Sequence, residues 1–246
     1  MYKIAFIDLD GTLLNSKKEI SDFDQYILKQ ASKQIKIVFA SARGSYRILP
    51  YVKQIDTLTE DNYTLGFNGG LLMNNTDTLR LVDNCIDHNN LLKLLQWLFE
   101  LKLTEVYAYD FNGSVKLQLE QYPDNVIYKV VVLESKDNVT AIRKAMPEFV
   151  KDNFEITSSE PERIEFVQKG MTKQQTIQKL LKHLNITKDE MIAIGDGEND
   201  IAMLKMAGLS IAMGNASDQV KEIANMTTDS NDNSGVGKAL EKVLGL

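Results

Sequence analysis

The chain has 246 residues, of which 43% are hydrophobic and 25% are charged, the composition of an ordinary globular protein. Its formal net charge of -6 argues against nucleic-acid binding, because proteins that bind nucleic acid usually carry a basic face. No apolar run approaches the ~20 residues of a membrane helix, and the only cysteine, Cys85, fits a reducing compartment. We therefore predict a cytoplasmic protein with no nucleic-acid or membrane partner, and the composition leaves its oligomeric state open.

The first predicted element is a buried strand that ends in two carboxylates. Ile4 to Ile7 form an unbroken apolar run, typical of a strand buried on both faces of a parallel sheet. Asp8 and Asp10 follow this run, and Gly11 lets the chain turn at once. Residues i and i+2 of a strand project to the same side, so both carboxylates should converge at the carboxyl edge of the sheet, where open α/β sheets bind ligands.

Two carboxylates so close together favour a bound cation, because otherwise they would repel and raise each other's pKa. Mg²⁺ suits the pair best, since it usually takes only one or two protein carboxylates together with substrate phosphate and water. A calcium-binding EF-hand that starts at Asp8 is excluded, because its sixth residue would be Leu13 where glycine is required. On these residues alone, an ordinary surface turn is the open alternative.

Helices and strands alternate in the next part of the chain. The pattern predicts a helix at 21–33, a strand at 35–40, a short helix at 46–54 and a strand at 63–67. The second strand ends in Ser41-Ala42-Arg43-Gly44, and the third ends in Asn68-Gly69-Gly70. Polar, glycine-bearing turns at the ends of successive strands predict a parallel α/β sheet with its loops gathered at one edge.

Residues 80–170 have a different pattern and are predicted to form an inserted domain. A leucine-rich helix is followed by segments that alternate with period two, which indicates α+β structure with antiparallel strands. The parallel pattern then resumes with a helix that opens near Thr172 and a buried strand at 191–194. That strand ends in Gly195-Asp196-Gly197-Glu198-Asn199-Asp200, a second acidic cluster at a strand end. Later strands are predicted at 209–213 and 226–228, and a final helix at 236–244.

Four motifs at these strand and helix ends carry a resemblance to a known superfamily. They are Asp8-Leu9-Asp10-Gly11-Thr12-Leu13-Leu14, Ser41-Ala42-Arg43, Lys173 after Lys169-Gly170, and Gly195-Asp196-Gly197-Glu198-Asn199-Asp200. In this order they resemble the motifs of the haloacid dehalogenase superfamily. The chain is most similar to the Cof-like phosphatases of that superfamily, whose cap domain is inserted between the second and third motifs. Ala42 departs from the usual pattern, which has glycine there, and this would matter if φ at residue 42 had to be positive.

The resemblance implies both a fold and an activity. The implied fold is α/β, with a doubly wound parallel-sheet (Rossmann-like) core of residues 1–79 and 171–246 and an inserted α+β cap domain of residues 80–170. The implied activity is Mg²⁺-dependent hydrolysis of small phosphate monoesters through an aspartyl-phosphate intermediate. The expected partner is a small phosphorylated metabolite, either a sugar phosphate or a phosphorylated cofactor.

The resemblance also implies roles for individual residues. Asp8 would attack phosphorus as the nucleophile, and Asp10 would serve as general acid and base. The implied metal site consists of Asp8, the backbone carbonyl of Asp10, Asp196 and, through its waters, Asp200. The implied phosphate-binding residues are Ser41, Ala42, Arg43, Asn68, Lys173 and Asn199.

Other classes of protein also combine aspartates with a lysine. In a receiver domain of a signalling system the lysine comes last, whereas here Lys173 precedes the second acidic cluster and an insertion splits the sheet. A phosphomutase of the same superfamily would return the phosphate to its substrate. A non-catalytic phosphometabolite sensor would be expected to lack Asp8 or Asp10, and both are present. The phosphatase is therefore the main hypothesis, with the mutase and the sensor as alternatives.

Overall fold

A computed structural model of the protein describes residues 1–158 and 161–246. These residues divide into two compact units: Met1–Val82 with Lys173–Leu246, which we call the core unit, and Asp83–Thr172, which we call the inserted unit. The sequence placed the two junctions after residues 79 and 170. Within the described residues, no helix is both long and apolar enough to cross a membrane.

Both units consist of short strands and helices joined by turns and loops. The strands are β1 (Ile4–Ile7), β2 (Lys36–Ala40), β3 (Tyr63–Gly66), β4 (Leu71–Asn74), β5 (Arg80–Asp83), β6 (Val106–Tyr109), β7 (Ser114–Lys116), β8 (Lys129–Leu133), β9 (Phe154–Thr157), β10 (Arg163–Gln168), β11 (Met191–Gly195), β12 (Leu209–Ala212) and β13 (Met226–Thr227). The helices are α1 (Asp22–Ala31), α2 (Ser45–Gln54), α3 (His88–Glu100), α4 (Lys136–Ala145), α5 (Glu148–Asn153), α6 (Lys173–Leu184), α7 (Ile201–Met206), α8 (Asp218–Ile223) and α9 (Gly235–Leu244).

The core unit is built on a mixed sheet with β1 near its centre. The strand order is β13-β12-β11-β1-β2-β3-β4-β5, and every pair from β13 to β3 is parallel. The predicted α/β fold with a parallel-sheet core is thereby confirmed. The sequence did not predict β4, which runs antiparallel to β3. Its apolar run, Leu71 to Met73, is too short to separate a strand from a loop by periodicity.

Helices cover both faces of this sheet because its central strands are apolar on both sides. Side chains of α1, α2 and α9 pack against one face, with Ala5 and Ile7 of β1 in the same cluster. Ile4 and Phe6 alternate with them and are also fully buried. On the other side, α7 contacts β11 and β12, and α6 contacts α7. The turns at the carboxyl ends of the strands are therefore held by a rigid, doubly covered sheet.

The inserted unit is an antiparallel sheet with helices on one face. Its strand order is β7-β6-β8-β10-β9, and all neighbouring pairs are antiparallel. The leucines of α3 pack with Val106 and Ala108 of β6 and with Ile164 and Phe166 of β10. The two units therefore have separate hydrophobic cores, as a chain with an independent insertion requires.

Candidate active site

The candidate site lies in the core unit, where β1, β2 and β11 end side by side. Ile7 pairs with Phe39 of β2 and with Ile194 of β11, so the three strands reach the carboxyl edge at the same level. The backbone N–H of Asp8 still continues the ladder, donating to the Ile194 carbonyl at 3.1 Å. The acidic residue after β1 is therefore held by sheet hydrogen bonds, next to the acidic loop that follows β11.

Lys173 joins the first and the second acidic clusters. Its Nζ donates to Oδ1 of Asp8 and to Oδ1 of Asp200, each at 2.6 Å, and all three side chains are buried. A cation at the start of α6 is disfavoured by the helix dipole, so these two carboxylates explain its position. Burial alone would lower the pKa of Lys173, but Asp200 and Asp8 outweigh burial and raise it. Lys173 is therefore a permanent positive charge between two carboxylates.

Thr12 and Gly11 position the third carboxylate, that of Asp196. The Thr12 hydroxyl donates to Asp196 Oδ1 at 2.7 Å. Gly11 has φ +82°, and a Cβ there would lie 2.3 Å from Asp196 Oδ2, so only glycine fits. Burial, the main cause, raises the pKa of Asp196 to about 6, and the hydrogen bond from Thr12 opposes this rise.

The carboxylates of Asp8, Asp196 and Asp200 form a cluster that suits a divalent cation. Each offers one oxygen, and these oxygens lie within 4.8 Å of one another. With Lys173 as the cation in contact, three carboxylates and one ammonium group sum to a charge of -2. Burial raises the pKa of Asp8, although Lys173 lowers it, so the site binds protons more readily than free aspartates do. A hard divalent ion with oxygen ligands would balance this charge.

The side chain of Asp10 does not join this cluster. Arg43 donates from Nε to Asp10 Oδ2 and from Nη2 to Asp10 Oδ1, both at 2.7 Å, and Lys18 Nζ donates to Oδ1 at 2.9 Å. Burial would raise the pKa of Asp10, but the hydrogen bonds from Arg43 and Lys18 lower it to about 2. The expectation that both carboxylates converge on one cation is therefore wrong for the Asp10 side chain. Its backbone carbonyl as a metal ligand stays a prediction.

Five of the six residues predicted to bind phosphate lie at three places in the core unit. Lys173 lies in the acidic cluster, while Ser41, Ala42 and Arg43 follow β2, and Asn68 follows the neighbouring strand β3. The Asn68 N–H donates to the Ser41 carbonyl at 3.1 Å, which joins the two loops. The Arg43 guanidinium binds Asp10, and its predicted contact with phosphate stays a prediction.

Two details of these loops bear on the predicted roles. Ala42 is not among the described residues with positive φ, so its methyl group is compatible with the loop. Asn199 lies in the acidic loop, with its Oδ1 2.4 Å from where a Cβ of Gly197 would be. Asp200 Oδ2 accepts from the backbone N–H groups of Asp196 and Gly197 at 3.3 and 3.2 Å. Asp200 therefore stabilises the same loop that presents Asp196.

Sequence reasoning missed several residues that organise the site. Lys18 and Tyr51 are the clearest cases, since Tyr51 accepts from Arg43 Nη1 at 3.1 Å and so extends the contacts around Asp10. Asn215 stands in a segment that also resembles the Cof-like phosphatases, but its contact was not predicted: its side chain donates to the Gly11 carbonyl at 2.8 Å. Thr12 and Asn215 had a signal in the sequence, since each stands in a segment that resembles the family. Lys18 and Tyr51 are ordinary polar residues until the fold brings them near Asp10.

Comparisons with known proteins assign the chain to a family. The sequence model of the haloacid dehalogenase-like hydrolases matches residues 5–118 and 107–240. The 5-amino-6-(5-phospho-D-ribitylamino)uracil phosphatase YcsE of Bacillus subtilis is 31% identical, over 97% of this chain and 94% of that protein. Phosphatase YwpJ, also of Bacillus subtilis, is 26% identical over 98% of this chain and 100% of that protein.

A solved structure agrees with these relatives. The crystal structure of a haloacid dehalogenase-like hydrolase from Bacteroides thetaiotaomicron has a TM-score of 0.89 and 28% identity, and the match covers 99% of this chain and 100% of that chain. Family, relatives and fold are therefore consistent with the acidic cluster at the carboxyl ends of β1 and β11. The chain belongs to the haloacid dehalogenase-like hydrolases and is a phosphatase of their Cof-like subfamily.

Proposed function

We propose that this phosphatase hydrolyses small phosphate monoesters with the help of Mg²⁺, and that Asp8 carries the phosphoryl group between two chemical steps. The observation that carries the proposal is the setting of Asp8, which is buried, bonded to Lys173 and clustered with two further carboxylates. An ordinary surface turn, the alternative left open by the sequence, would leave its aspartate facing water. A buried, oriented carboxylate is instead the setting of a nucleophile.

The acidic cluster supplies the proposed metal site. Asp8, Asp196 and the backbone carbonyl of Asp10 would hold Mg²⁺, and Asp200 would order its waters. When bound, the ion neutralises charge on the phosphoryl oxygens and so lets an anionic nucleophile approach. With its three carboxylates ionised and Lys173 protonated, the cluster has a formal charge of -2, which supports a divalent cation over a monovalent one.

In the first proposed step, a carboxylate oxygen of Asp8 forms a bond to phosphorus while the bond from phosphorus to the ester oxygen breaks. A proton on Asp10 passes to that ester oxygen, which leaves as an alcohol. The hydrogen bonds from Arg43 and Lys18 lower the pKa of Asp10 to about 2, so Asp10 is ionised in this arrangement and the proposed proton donation requires these contacts to loosen. Of the two contacts, that of Lys18 is the more open to solvent, because its side chain is 59% exposed and that of Arg43 only 11%.

In the second proposed step, water attacks the phosphorus of the aspartyl-phosphate. Asp10 takes a proton from the water, the bond between phosphorus and the Asp8 oxygen breaks, and inorganic phosphate and the Asp8 carboxylate are released. The proton that Asp10 gains replaces the one it gave to the alcohol, so the cycle closes. Lys173 offsets negative charge beside Asp8, and we propose that the loops of Ser41 and Asn68 bind the phosphoryl oxygens.

The proposed substrates are small phosphorylated metabolites, either sugar phosphates or phosphorylated cofactors. The name of the relative YcsE supports this class, since its substrate is a pyrimidine with a phosphorylated ribityl chain. The composition and the single cysteine suggest that the reaction takes place in the cytoplasm.

A panel of phosphate monoesters, incubated with the purified protein and Mg²⁺, tests this proposal. We expect inorganic phosphate from at least one ester, loss of that activity on chelation and its return when Mg²⁺ is added. Full activity after exhaustive chelation would contradict the proposed role of a metal ion. Isomerised sugar phosphate without free phosphate would favour the phosphomutase, and ligand-specific stabilisation without any turnover would favour the sensor.

A further inference from the structure

The Asp10 carboxylate belongs to a closed ring of hydrogen bonds in the core unit. Arg43 holds both of its oxygens, and Arg43 Nη1 donates to the Tyr51 hydroxyl at 3.1 Å. The Tyr51 hydroxyl donates in turn to the backbone carbonyl of Lys18 at 3.1 Å, and Lys18 Nζ returns to Asp10 Oδ1 at 2.9 Å. The ring therefore links the turn after β1, the loop before α1 and helix α2.

Tyr51 holds the end of the Arg43 guanidinium that faces away from Asp10. Two nitrogens of the guanidinium bind the carboxylate in a fork, and the third binds the phenol. The guanidinium carbon also lies 5.6 Å from the centre of the Tyr51 ring, a cation–π distance. With all three nitrogens engaged, the planar group cannot turn without breaking a hydrogen bond, so the carboxylate bound to it is held in one orientation.

The acceptor of the Tyr51 hydroxyl is itself well fixed. The carboxamide oxygen of Asn15 accepts from the backbone N–H groups of Lys17 and Glu19 at 2.9 and 3.0 Å. The Lys18 N–H donates to the Asn15 carbonyl at 2.9 Å. These local bonds give the loop a defined shape, so its carbonyl is a firm anchor for Tyr51.

The ring also determines which oxygen of Asp10 is available for chemistry. A carboxylate offers about four acceptor positions, two on each oxygen. Oδ1 accepts from Arg43 Nη2 and Lys18 Nζ, whereas Oδ2 accepts from Arg43 Nε. While Lys18 is bound, the position left for a substrate or water proton is therefore on Oδ2. When Lys18 withdraws, a position on Oδ1 is also open, and the plane of the Arg43 guanidinium sets the direction of both.

We propose that Tyr51 is a positioning residue for the proton transfers of Asp10 and acts through Arg43. This inference rests on the proposed function, in which Asp10 is the general acid and base. Tyr51 need not touch substrate for this role. Removing its hydroxyl would free the outer end of the guanidinium, let the carboxylate rotate with it and misdirect the Oδ2 position.

The test is Tyr51→Phe, measured by rapid quench with two substrates. An aryl phosphate such as p-nitrophenyl phosphate has a leaving group that departs without a proton, while an alkyl phosphate needs one. We expect phosphorylation of Asp8 by the aryl ester to proceed at the unmutated rate. Phosphorylation by the alkyl ester and hydrolysis of the aspartyl-phosphate should each slow by roughly 10-fold. This is less than the roughly 10²- to 10⁴-fold loss expected when the general acid and base is removed. The aspartyl-phosphate should therefore accumulate with the aryl ester.

Tyr63→Phe is the matched control, since the Tyr63 hydroxyl bonds to His183 Nε2 at 3.2 Å and not to the ring around Asp10. Combining Tyr51→Phe with Arg43→Lys tests whether Tyr51 acts through Arg43, because lysine has no third nitrogen for the phenol to hold. We expect Tyr51→Phe to cost less than about 2-fold in that background, a strong departure from additivity.

The outcomes separate this inference from the proposed function. Turnover by the unmutated protein, together with rates for Tyr51→Phe that match those of Tyr63→Phe, would overturn the role of Tyr51 alone. An equal slowing with both leaving groups, or additive losses with Arg43→Lys, would also overturn it. Absence of any turnover or aspartyl-phosphate in the unmutated protein would overturn the proposed function, and the inference with it.

Discussion

Replacing Lys173 with methionine removes one charge from the most buried part of the site and keeps most of the side-chain volume. Lys173 Nζ contacts Asp8 and Asp200 at 2.6 Å each, and the lysine side chain is 2% exposed. Loss of the ammonium changes the charge of the cluster from -2 to -3, since three carboxylates are then left without a cation. The variant therefore tests directly whether the cluster is short of positive charge.

The size of the effect follows from burial. Removing one partner of a buried ion pair destabilises a protein by roughly 3–5 kcal/mol, because an uncompensated charge is left behind. Methionine limits the additional loss from a cavity, since it fills a similar apolar volume. We therefore expect the free energy of unfolding to fall by about 3–5 kcal/mol at a pH where Asp8 and Asp200 are ionised.

The loss should shrink at acidic pH. A carboxyl group whose pKa is raised by folding holds its proton more tightly in the folded protein than in the unfolded one. It therefore stabilises the protein at a pH below its unfolded pKa, and this stabilisation is lost as the pH rises through its folded pKa. Folding already raises the pKa of Asp8, and it raises that of Asp196 from 3.8 to about 6. Without Lys173 both values should rise further, so the variant loses stability mainly as pH increases from about 4 to about 8.

Urea unfolding at about pH 5 and about pH 8, with and without Mg²⁺, measures these effects. Mg²⁺ should stabilise the variant at the higher pH more than it stabilises the unmutated protein. Lys129→Met is the control, because Lys129 forms a buried pair with Glu165 at 3.1 Å in the inserted unit. It should destabilise the protein without changing its response to Mg²⁺. A Lys173→Met protein as stable as the unmutated one at the higher pH would refute the reasoning.

Two further substitutions test other parts of the site. Asp8→Asn should form no acid-labile phosphoenzyme, whereas Asp10→Asn should be slower by roughly 10²- to 10⁴-fold and accumulate phosphoenzyme from an aryl ester. Rapid quench and intact-protein mass measure both, and phosphoenzyme on Asp8→Asn would show that the assigned roles are wrong. Gly11→Ala should abolish Mg²⁺ binding in calorimetric titration, because its Cβ would collide with Asp196. It should also lower the free energy of unfolding by about 1–3 kcal/mol, because φ at residue 11 is +82°. Gly113→Ala, where a Cβ meets nothing within 4 Å, is the control, and equal Mg²⁺ responses of the two variants would count against the geometry.

The sequence predicted the parts of the site that depend on local pattern. Apolar runs that end in charge identified β1 and β11, and the shared edge of a parallel sheet explained why Asp8 and Asp196 should lie near each other. The awkward position of Lys173 at a helix start was also informative, because a cation there needs a compensating partner. Two such partners are present, Asp8 and Asp200.

What the sequence could not predict depends on side-chain direction and on contacts between distant segments. Arg43 was predicted to bind phosphate because it stands in a phosphate-binding motif, yet in the structure its guanidinium is bound to Asp10. Tyr51 is eight residues further on, in a helix whose apolar face predicts packing but not the position of one hydroxyl group. Lys18 lies in an exposed loop, where no hydrophobic periodicity predicts the position of its side chain. These contacts form only when three segments meet, so no single stretch of sequence contains the information.

The opposite environments of Asp8 and Asp10 explain how two identical side chains, two residues apart, could perform different steps. Burial, with a smaller contribution from the neighbouring carboxylates, raises the pKa of Asp8 despite Lys173, whereas the hydrogen bonds from Arg43 and Lys18 lower the pKa of Asp10 to about 2. Divergent pKa values in neighbouring carboxyl groups are a mark of divided roles in catalysis. In the proposed mechanism, the cluster around Asp8 would bind a metal ion and Asp8 would be the nucleophile beside it, whereas Asp10 would exchange a proton when its contact with Lys18 opens. The i and i+2 spacing brings the two groups to one edge of the sheet, and their separate partners then give them separate chemistry.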